Sequence, residues 1–517
     1  MDRRSFIKLT AITSTSATLA SCGNPENTFI RFVPDEDIVP GASVFKPSVC
    51  PLCSAGCGLT VRVMDADADV VVNGQAGLKR ISAVKKLEGN ANHPLNQGAL
   101  CARGQAAIQV TYHPDRITQP LKLSGKRGEG KYEAIGWDAA LMELIAKLDA
   151  LAAAGNQKAL AFAMRPGASH RHALVEQFLA RFGAPGPVTF DLFGDQVLRR
   201  ANALSFGRDQ LPSFDLANAR SVISFGADFL GTWNSPVAHS MAYGEMRQGR
   251  EGMRGSLVQV EARMSTTGAS ADQWVPCTPG TEGVLALALA HAIIAAKLRP
   301  GDTAGRAGAQ IDGWAAGLPA YAPQQVEKVV GVSAARIEQH ARRLVELSPS
   351  VAIVGGPALA HTNGLFTALA VNALNALLGS VEQPGGMYFT PRLNIAGGGQ
   401  AAAPAPTLDK LADAAVQVLL VDGTNPVFTA PPAWKVRETF EKIPFIVSFG
   451  NFVDETSSMA DLILPDHSFL ESWVDAVPES GSKTAVASVA GPAMRPDRKS
   501  TRLNSSHVSE SRMPSSA

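Results

Sequence analysis

The stretch "CPLCSAGC" places Cys50, Cys53 and Cys57 in a C-x2-C-x3-C run, and a fourth cysteine, Cys101, follows in "GALCARG". Deprotonated thiols ligate metals, and thiols held close together can also form disulfides. Three clustered cysteines plus a remote fourth suit a [4Fe–4S] cube, whose iron corners take four thiolates from converging loops. Zinc would accept four thiolates, but its usual knuckles repeat C-x2-C twice, which this pattern does not. Disulfides are the third possibility if the chain is exported, although two residues between Cys50 and Cys53 make a loop better suited to ligation than to stapling. Cys277, in "WVPCTPG", reads as a buried structural thiol.

The elements that must position these cysteines change character along the chain. Residues 43–118 read as a strand-and-turn unit, since "LTVRVMDADADVVVNG" alternates as strands do. From about residue 136, amphipathic stretches such as "WDAALMELIAKLDALAAAG" and "SAARIEQHARRLVEL" alternate with short apolar runs such as "KALAFAM", "SVISFGAD", "GSLVQVEA" and "SVAIVGG". That alternation predicts α/β units around a mostly parallel sheet, and "VQVLLVDGTNP", "PFIVSFGNF" and "ADLILP" predict a second set. Ligands of such sheets sit beyond the carboxyl ends of the strands. The run "GVLALALAHAIIAAKL" is shorter than a membrane span and contains His291, so it reads as a buried core helix.

The chain has 517 residues, 45% hydrophobic and 18% charged, with a formal net charge of +1. This is a globular protein large enough for two or three domains, and it lacks the basic excess of a nucleic-acid binder. The start, "MDRRSFIKL", with a mild apolar run after Arg3 and Arg4, is similar to a twin-arginine export signal. The run ends in "LASC", similar to a lipobox in which Cys22 would be acylated; simple cleavage near Ala20 is the alternative. The end, "RKSTRLNSSHVSESRMPSSA", reads as a disordered tail, and it also resembles a sequencing-adapter read-through in place of the true C-terminus.

Around the cysteines the chain resembles the molybdopterin oxidoreductase family, whose members carry two pyranopterin guanine dinucleotides on one molybdenum or tungsten. "CPLCSAGCGLTVRV" is similar to that family's first cluster segment, and "KKLEGNANHPLNQGALCARG" to its second, which ends in the fourth ligand, Cys101. By this resemblance Arg103 lies between cluster and pterin, where a fixed positive charge could stabilise a passing electron; a solvated or phosphate-paired arginine is the alternative. "SVISFGADFLGTWNSPVAH" implies dinucleotide contacts at Gly226 and Asp228. "VEARMSTTGASADQWVPCTPGTEG" implies them at Glu261, Arg263, Asp272, Gly280 and Thr281, and "LLVDGTNPVFTAPP" at Gly423 and Asn425.

The chain departs from the family pattern where many members supply a Cys, Sec, Ser or Asp to the metal. "TFDLFGDQVLRRANALSFG" offers only Asp191, Asp195 and Ser205, and Asp195 opens an apparent helix that it could cap. Some relatives keep the fold without molybdenum. The lead-in "FIRFVPDEDIVPG" and "SFGADFLGTWNSPV" especially resemble the large subunits of alternative complex III and of periplasmic quinone reductase complexes.

The fold expectation is therefore α/β. A leader (1–22) precedes an iron–sulfur domain (43–118), a first α/β lobe (119–380), a second (381–496) and a tail (497–517), with the family's closing β-rich domain missing. The resemblance implies a subunit on the periplasmic face of the membrane, beside a ferredoxin-like iron–sulfur partner and a quinone-interacting integral membrane partner. It would be held by a lipid anchor or by those partners, with no transmembrane helix of its own. Two functions follow: a molybdenum or tungsten oxidoreductase relaying electrons through one cluster, or a molybdenum-free scaffold and relay. A zinc-stabilised binding module is a third. The lack of a G-x-G-x-x-G or P-loop run speaks against a nicotinamide or ATP enzyme.

Overall fold

The computed structural model describes residues 38–39, 43–72, 75–167, 169–189, 195–248, 254–393 and 415–494. The leader with Cys22, Asp191, and the serine-rich tail lie outside these residues.

Three larger sheets organise the described chain. In the first, Gly58–Val72 pairs antiparallel with Ser43–Val49 and with Gln75–Gly89. Leu59, Val61 and Val63 point inward and Arg62 outward, the period of two expected of a strand with one covered face. The helix Ala102–Thr111 follows, with Cys101 at its N-cap.

The second sheet is wholly parallel, in the order Gln273–Pro276, Ser256–Glu261, Ser221–Phe225, Ser350–Val354. Ser221–Phe225 and Ser350–Val354 are buried along their whole length, which requires helices on both faces. The helix Glu282–Ala295 is apolar all round and sinks into the largest core, against Leu374, Val371 and Ile337. This is the helix expected from "GVLALALAHAIIAAKL". Among the described residues no helix is long and apolar enough to cross a membrane.

The third sheet runs Tyr132–Ala134, Leu121–Leu123, Leu462–Ile463, Phe445–Ser448, Val418–Asp422, Leu160–Met164, Val188–Thr189. Its five later members are parallel, and the first two form an antiparallel edge. This topology departs from the expected boundary at residue 380. Segment 121–189 shares a sheet with 418–463, while 221–354 forms the other sheet, so the second is inserted into the third. Local patterning located the central strands, not the short edge strands Leu121–Leu123, Tyr132–Ala134, Val188–Thr189 and Gln273–Pro276, and could not show which strands pair across some 250 residues of chain, a choice made by burial of complementary faces.

Leu289 is 1% exposed in the centre of the largest core. Leu289→Ala is expected to cost about 3 kcal/mol of unfolding free energy, from lost transfer energy plus a cavity, read as a lower denaturation midpoint.

Candidate functional site

The loop bearing three of the cysteines connects Ser43–Val49 to Gly58–Val72, and Cys50 N–H donates to the Cys57 carbonyl at 2.9 Å, closing it. Gly56, at φ +56°, lies where a Cβ would meet the Ala476 side chain at 2.7 Å, so the loop tolerates little else there. Cys50 and Cys57 are buried, Cys53 and Cys101 half-buried, and all four border one apolar cluster with Leu59, Val61, Ala107, Val237 and Leu470. None of them forms a disulfide.

Burial pushes the Cys57 thiol up to about 12, and the charges of Cys53, Cys50 and Cys101 push the same way. Burial likewise lifts Cys50 to about 11, against a backbone hydrogen bond at Leu52 and the nearby Arg103. Four thiols within reach of one another's charge, in an apolar setting, need a cationic group before they can ionise together. Among the described residues no three His, Cys, Asp or Glu side chains stand close enough to share a single ion. Four thiols from two segments are the donor number and type that a [4Fe–4S] cluster takes. The donor set therefore fits a [4Fe–4S] cluster. Arg103 is exposed in the first turn of the Ala102–Thr111 helix, close enough for its charge to reach Cys50.

Beyond the carboxyl ends of the second sheet, four loops meet. Gly226, at φ +70°, follows Ser221–Phe225; a Cβ there would sit 2.8 Å from the Ala358 Cβ. Asp228 accepts from Thr267 N–H at 3.0 Å and its hydroxyl at 2.7 Å. Glu261 ends its strand, accepting from Ser265 N–H at 2.6 Å and Gln259 Nε2 at 3.0 Å, while Arg263 is exposed. Gly280, at φ +79°, accepts from Asn363 Nδ2 at 2.7 Å, and Thr281 occupies the N-cap position of the Glu282–Ala295 helix with its hydroxyl donating to the Thr278 carbonyl at 2.7 Å. These six converge.

Asp272 stands apart from them. It precedes Gln273–Pro276 and accepts from Leu257 N–H at 2.8 Å, which puts it at the amino edge of the same sheet. There it pairs with Arg247 at 2.5 and 2.7 Å. Its carboxyl is raised by burial but held below the usual range by Arg247 and the Leu257 N–H. The carboxylate expected at the dinucleotide is thus engaged in an ion pair at the amino edge.

At the carboxyl edge of the third sheet, Gly423 takes φ +61° with open space on its Cβ side. Asn425 accepts from Thr456 Oγ1 at 2.7 Å and donates to Glu455 at 2.8 Å. Asp195 occupies the N-cap position of Gln196–Phe206 but makes no side-chain capping bond, and its charge acts on Arg199 one turn later.

Sequence reasoning missed two groups here. Glu282 is 3% exposed and its Oε2 has no hydrogen-bond partner among the described residues, an orphaned carboxylate oxygen beside the Gly280–Thr281 turn. Its position after "PGT" at a helix start was the available signal. Arg171 donates to Asp422 at 2.5 and 2.8 Å and also binds Asp466. Burial opposes its charge, but the two carboxylates hold it above its ordinary value. The open Gly423 position and the orphaned Glu282 oxygen are features that a bound dinucleotide could satisfy.

The "Molybdopterin oxidoreductase" family model matches residues 116–482, and the "Molybdopterin oxidoreductase Fe4S4 domain" model matches residues 44–113. The chain belongs to the molybdopterin oxidoreductase family. Membership supports both cofactors, a [4Fe–4S] cluster and a molybdenum or tungsten molybdopterin. Among its relatives, the menaquinone reductase, molybdopterin-binding-like subunit of Nitratidesulfovibrio vulgaris is 29% identical over 470 residues, covering 89% of this chain and 63% of its own. The thiosulfate reductase molybdopterin-containing subunit of Salmonella typhimurium is 23% identical over 488 residues, covering 86% and 61%. The chain thus spans less than two thirds of the length of these relatives. Acetylene hydratase from Pelobacter acetylenicus shares the fold, with a TM-score of 0.66 at 17% identity over 89% of this chain and 70% of that one.

Asp272→Asn is expected to lower stability at pH 7 by about 1 kcal/mol or less, given solvent screening of the pair. A carboxylate with a depressed folded pKa stabilises fully above its unfolded value, and that contribution is lost as pH falls through the folded one. The difference from wild type should therefore shrink below about pH 4, measured by denaturation at a series of pH values.

Proposed function

We propose that this chain is the pterin- and cluster-carrying oxidoreductase subunit of a periplasmic respiratory complex. It passes electrons between a molybdenum or tungsten site and two partners, a ferredoxin-like iron–sulfur subunit and a quinone-interacting membrane subunit. The observation that carries this reading is the set of four thiols bordering one apolar cluster, with the Arg103 charge felt at Cys50. When bound, the cluster supplies one-electron storage and the pterin metal supplies the substrate chemistry.

This chain's residues then have separate tasks. Cys50, Cys53, Cys57 and Cys101 hold the cluster. Leu59, Val61, Val237 and Leu470 keep water from it, which strengthens every nearby charge. Arg103 stabilises the reduced state. Gly226, Asp228, Glu261, Arg263, Gly280, Thr281 and Glu282 form a cradle for one dinucleotide, and Gly423 and Asn425 a cradle for the other. Asp195 remains a candidate metal ligand of this chain, with Asp191.

The second reading, a molybdenum-free relay in a quinone-linked membrane complex, is favoured by the Arg171 contacts. The carboxylates Asp422 and Asp466 beside Gly423 are already committed to one guanidinium. The name of the Nitratidesulfovibrio vulgaris relative, a molybdopterin-binding-like subunit of a menaquinone reductase, points the same way.

Iron, molybdenum and tungsten content of the full-length protein, purified without oxygen, separates the two. About four irons with one molybdenum or tungsten supports the enzyme. Four irons and neither metal supports the relay, and no iron overturns both. Arg103→Met should leave iron content unchanged but move the cluster midpoint potential to more negative values, because a fixed positive charge favours the added electron. An unchanged potential in a redox titration would remove Arg103 from the electron path.

A further inference from the structure

Asn96 belongs to the segment that leads to Cys101 and is 0% exposed. Its Oδ1 accepts from Gly58 N–H at 2.9 Å, and its Nδ2 donates to the Gly58 carbonyl at 2.9 Å and to the Ala99 carbonyl at 2.7 Å. Those partners settle the amide's orientation, since a flip would set oxygen against two carbonyl oxygens. Gly58 directly follows Cys57, and Ala99 lies two residues before Cys101. One side chain therefore spans the backbone beside the third cysteine and the backbone leading to the fourth. The surroundings are equally tight: a Cβ on Gly89 would run into the carbonyl oxygens of Gly98 and Ala99, and one on Gly58 would meet the His93 ring at 2.5 Å.

We infer that Asn96 is a positioning residue for the iron–sulfur centre, an amide clamp that fixes Cys101 relative to Cys57. The inference rests on the cluster reading given above. Cys101 comes from a segment remote in sequence, and its backbone must be held at the right separation for its thiolate to reach the fourth iron corner. Three hydrogen bonds from a fully buried side chain supply that restraint. Residues behind the ligands commonly control metal retention in this way.

Asn96→Asp keeps the acceptor for Gly58 N–H but turns the donor into an oxygen facing two carbonyls. Asn96→Ser removes the bracket without adding charge, and carries the test if the aspartate variant does not fold. Asn375 provides the control. It is 1% exposed and brackets Ala352 in the second sheet with the same pair of bonds, at 2.8 and 2.7 Å. The full chain is purified without oxygen as wild type, Asn96→Asp, Asn96→Ser and Asn375→Asp. Iron content, midpoint potential, unfolding temperature and the electron paramagnetic resonance spectrum after ferricyanide treatment are compared.

In the Asn96 variants the cluster is expected to lose one iron to ferricyanide about 10-fold faster than in wild type, leaving a three-iron signal, with a shifted potential. Asn375→Asp should lower the unfolding temperature and leave iron retention and potential at wild-type values. Asn96 variants that match a four-iron wild type in retention and potential overturn the clamp alone. So does an Asn375→Asp variant that reproduces the Asn96 behaviour. A wild-type protein without iron overturns the cluster reading and the clamp with it.

Discussion

Thiols in an apolar pocket resist ionisation, and the organisation of the amino-terminal unit follows from that constraint. Desolvation holds Cys50 and Cys57 well above the ordinary thiol range, and each neighbouring thiolate would raise them further. Only a multiply charged group between them reverses the balance. The pocket must therefore be built by the protein rather than drawn together by the thiols themselves. Strand pairing closes the Cys50–Cys57 loop, the N-cap of a helix presents Cys101, and a buried amide spans the two.

A single extended segment ties this unit to the rest. Asp475 pairs with His170 at 2.6 Å, at the start of a helix that covers the third sheet. Ala476 lies against Gly56 of the cysteine loop. Glu479 binds Arg199 on the Gln196–Phe206 helix, Ser480 binds Asn234, and Lys483 pairs with Asp215 at 2.8 Å. Arg165, just beyond the strand Leu160–Met164, reaches the Pro51 carbonyl at 3.0 Å. A strap of polar contacts thus holds the cysteine loop against the carboxyl edge of the third sheet and against loops of the second.

The two carboxyl edges differ electrostatically. At the second sheet, Glu282 keeps an oxygen buried without a partner among the described residues, an expensive arrangement unless something binds there. At the third, Arg171 already neutralises Asp422 and Asp466. One edge thus keeps a carboxylate oxygen without a partner among the described residues, and the other pairs its carboxylates with a guanidinium.

Much of this was legible along the chain. The C-x2-C-x3-C spacing and Cys101 announced a metal centre, because ligand spacing is a local property. The apolar runs from Leu160 to Ile463 announced parallel strands, because burial on both faces leaves continuous hydrophobic segments. Gly226, Gly280 and Gly423 were named through the family resemblance, and each takes a positive φ, the conformation that favours glycine. What the chain order could not reveal was pairing at a distance. Segment 121–189 joins 418–463 around an inserted sheet, Asp272 sits on the amino edge, and Asn96 spans two segments. Each depends on which surfaces meet after folding. Hydrogen bonds and buried faces between residues far apart in sequence leave no periodicity behind, so tertiary packing alone decided them.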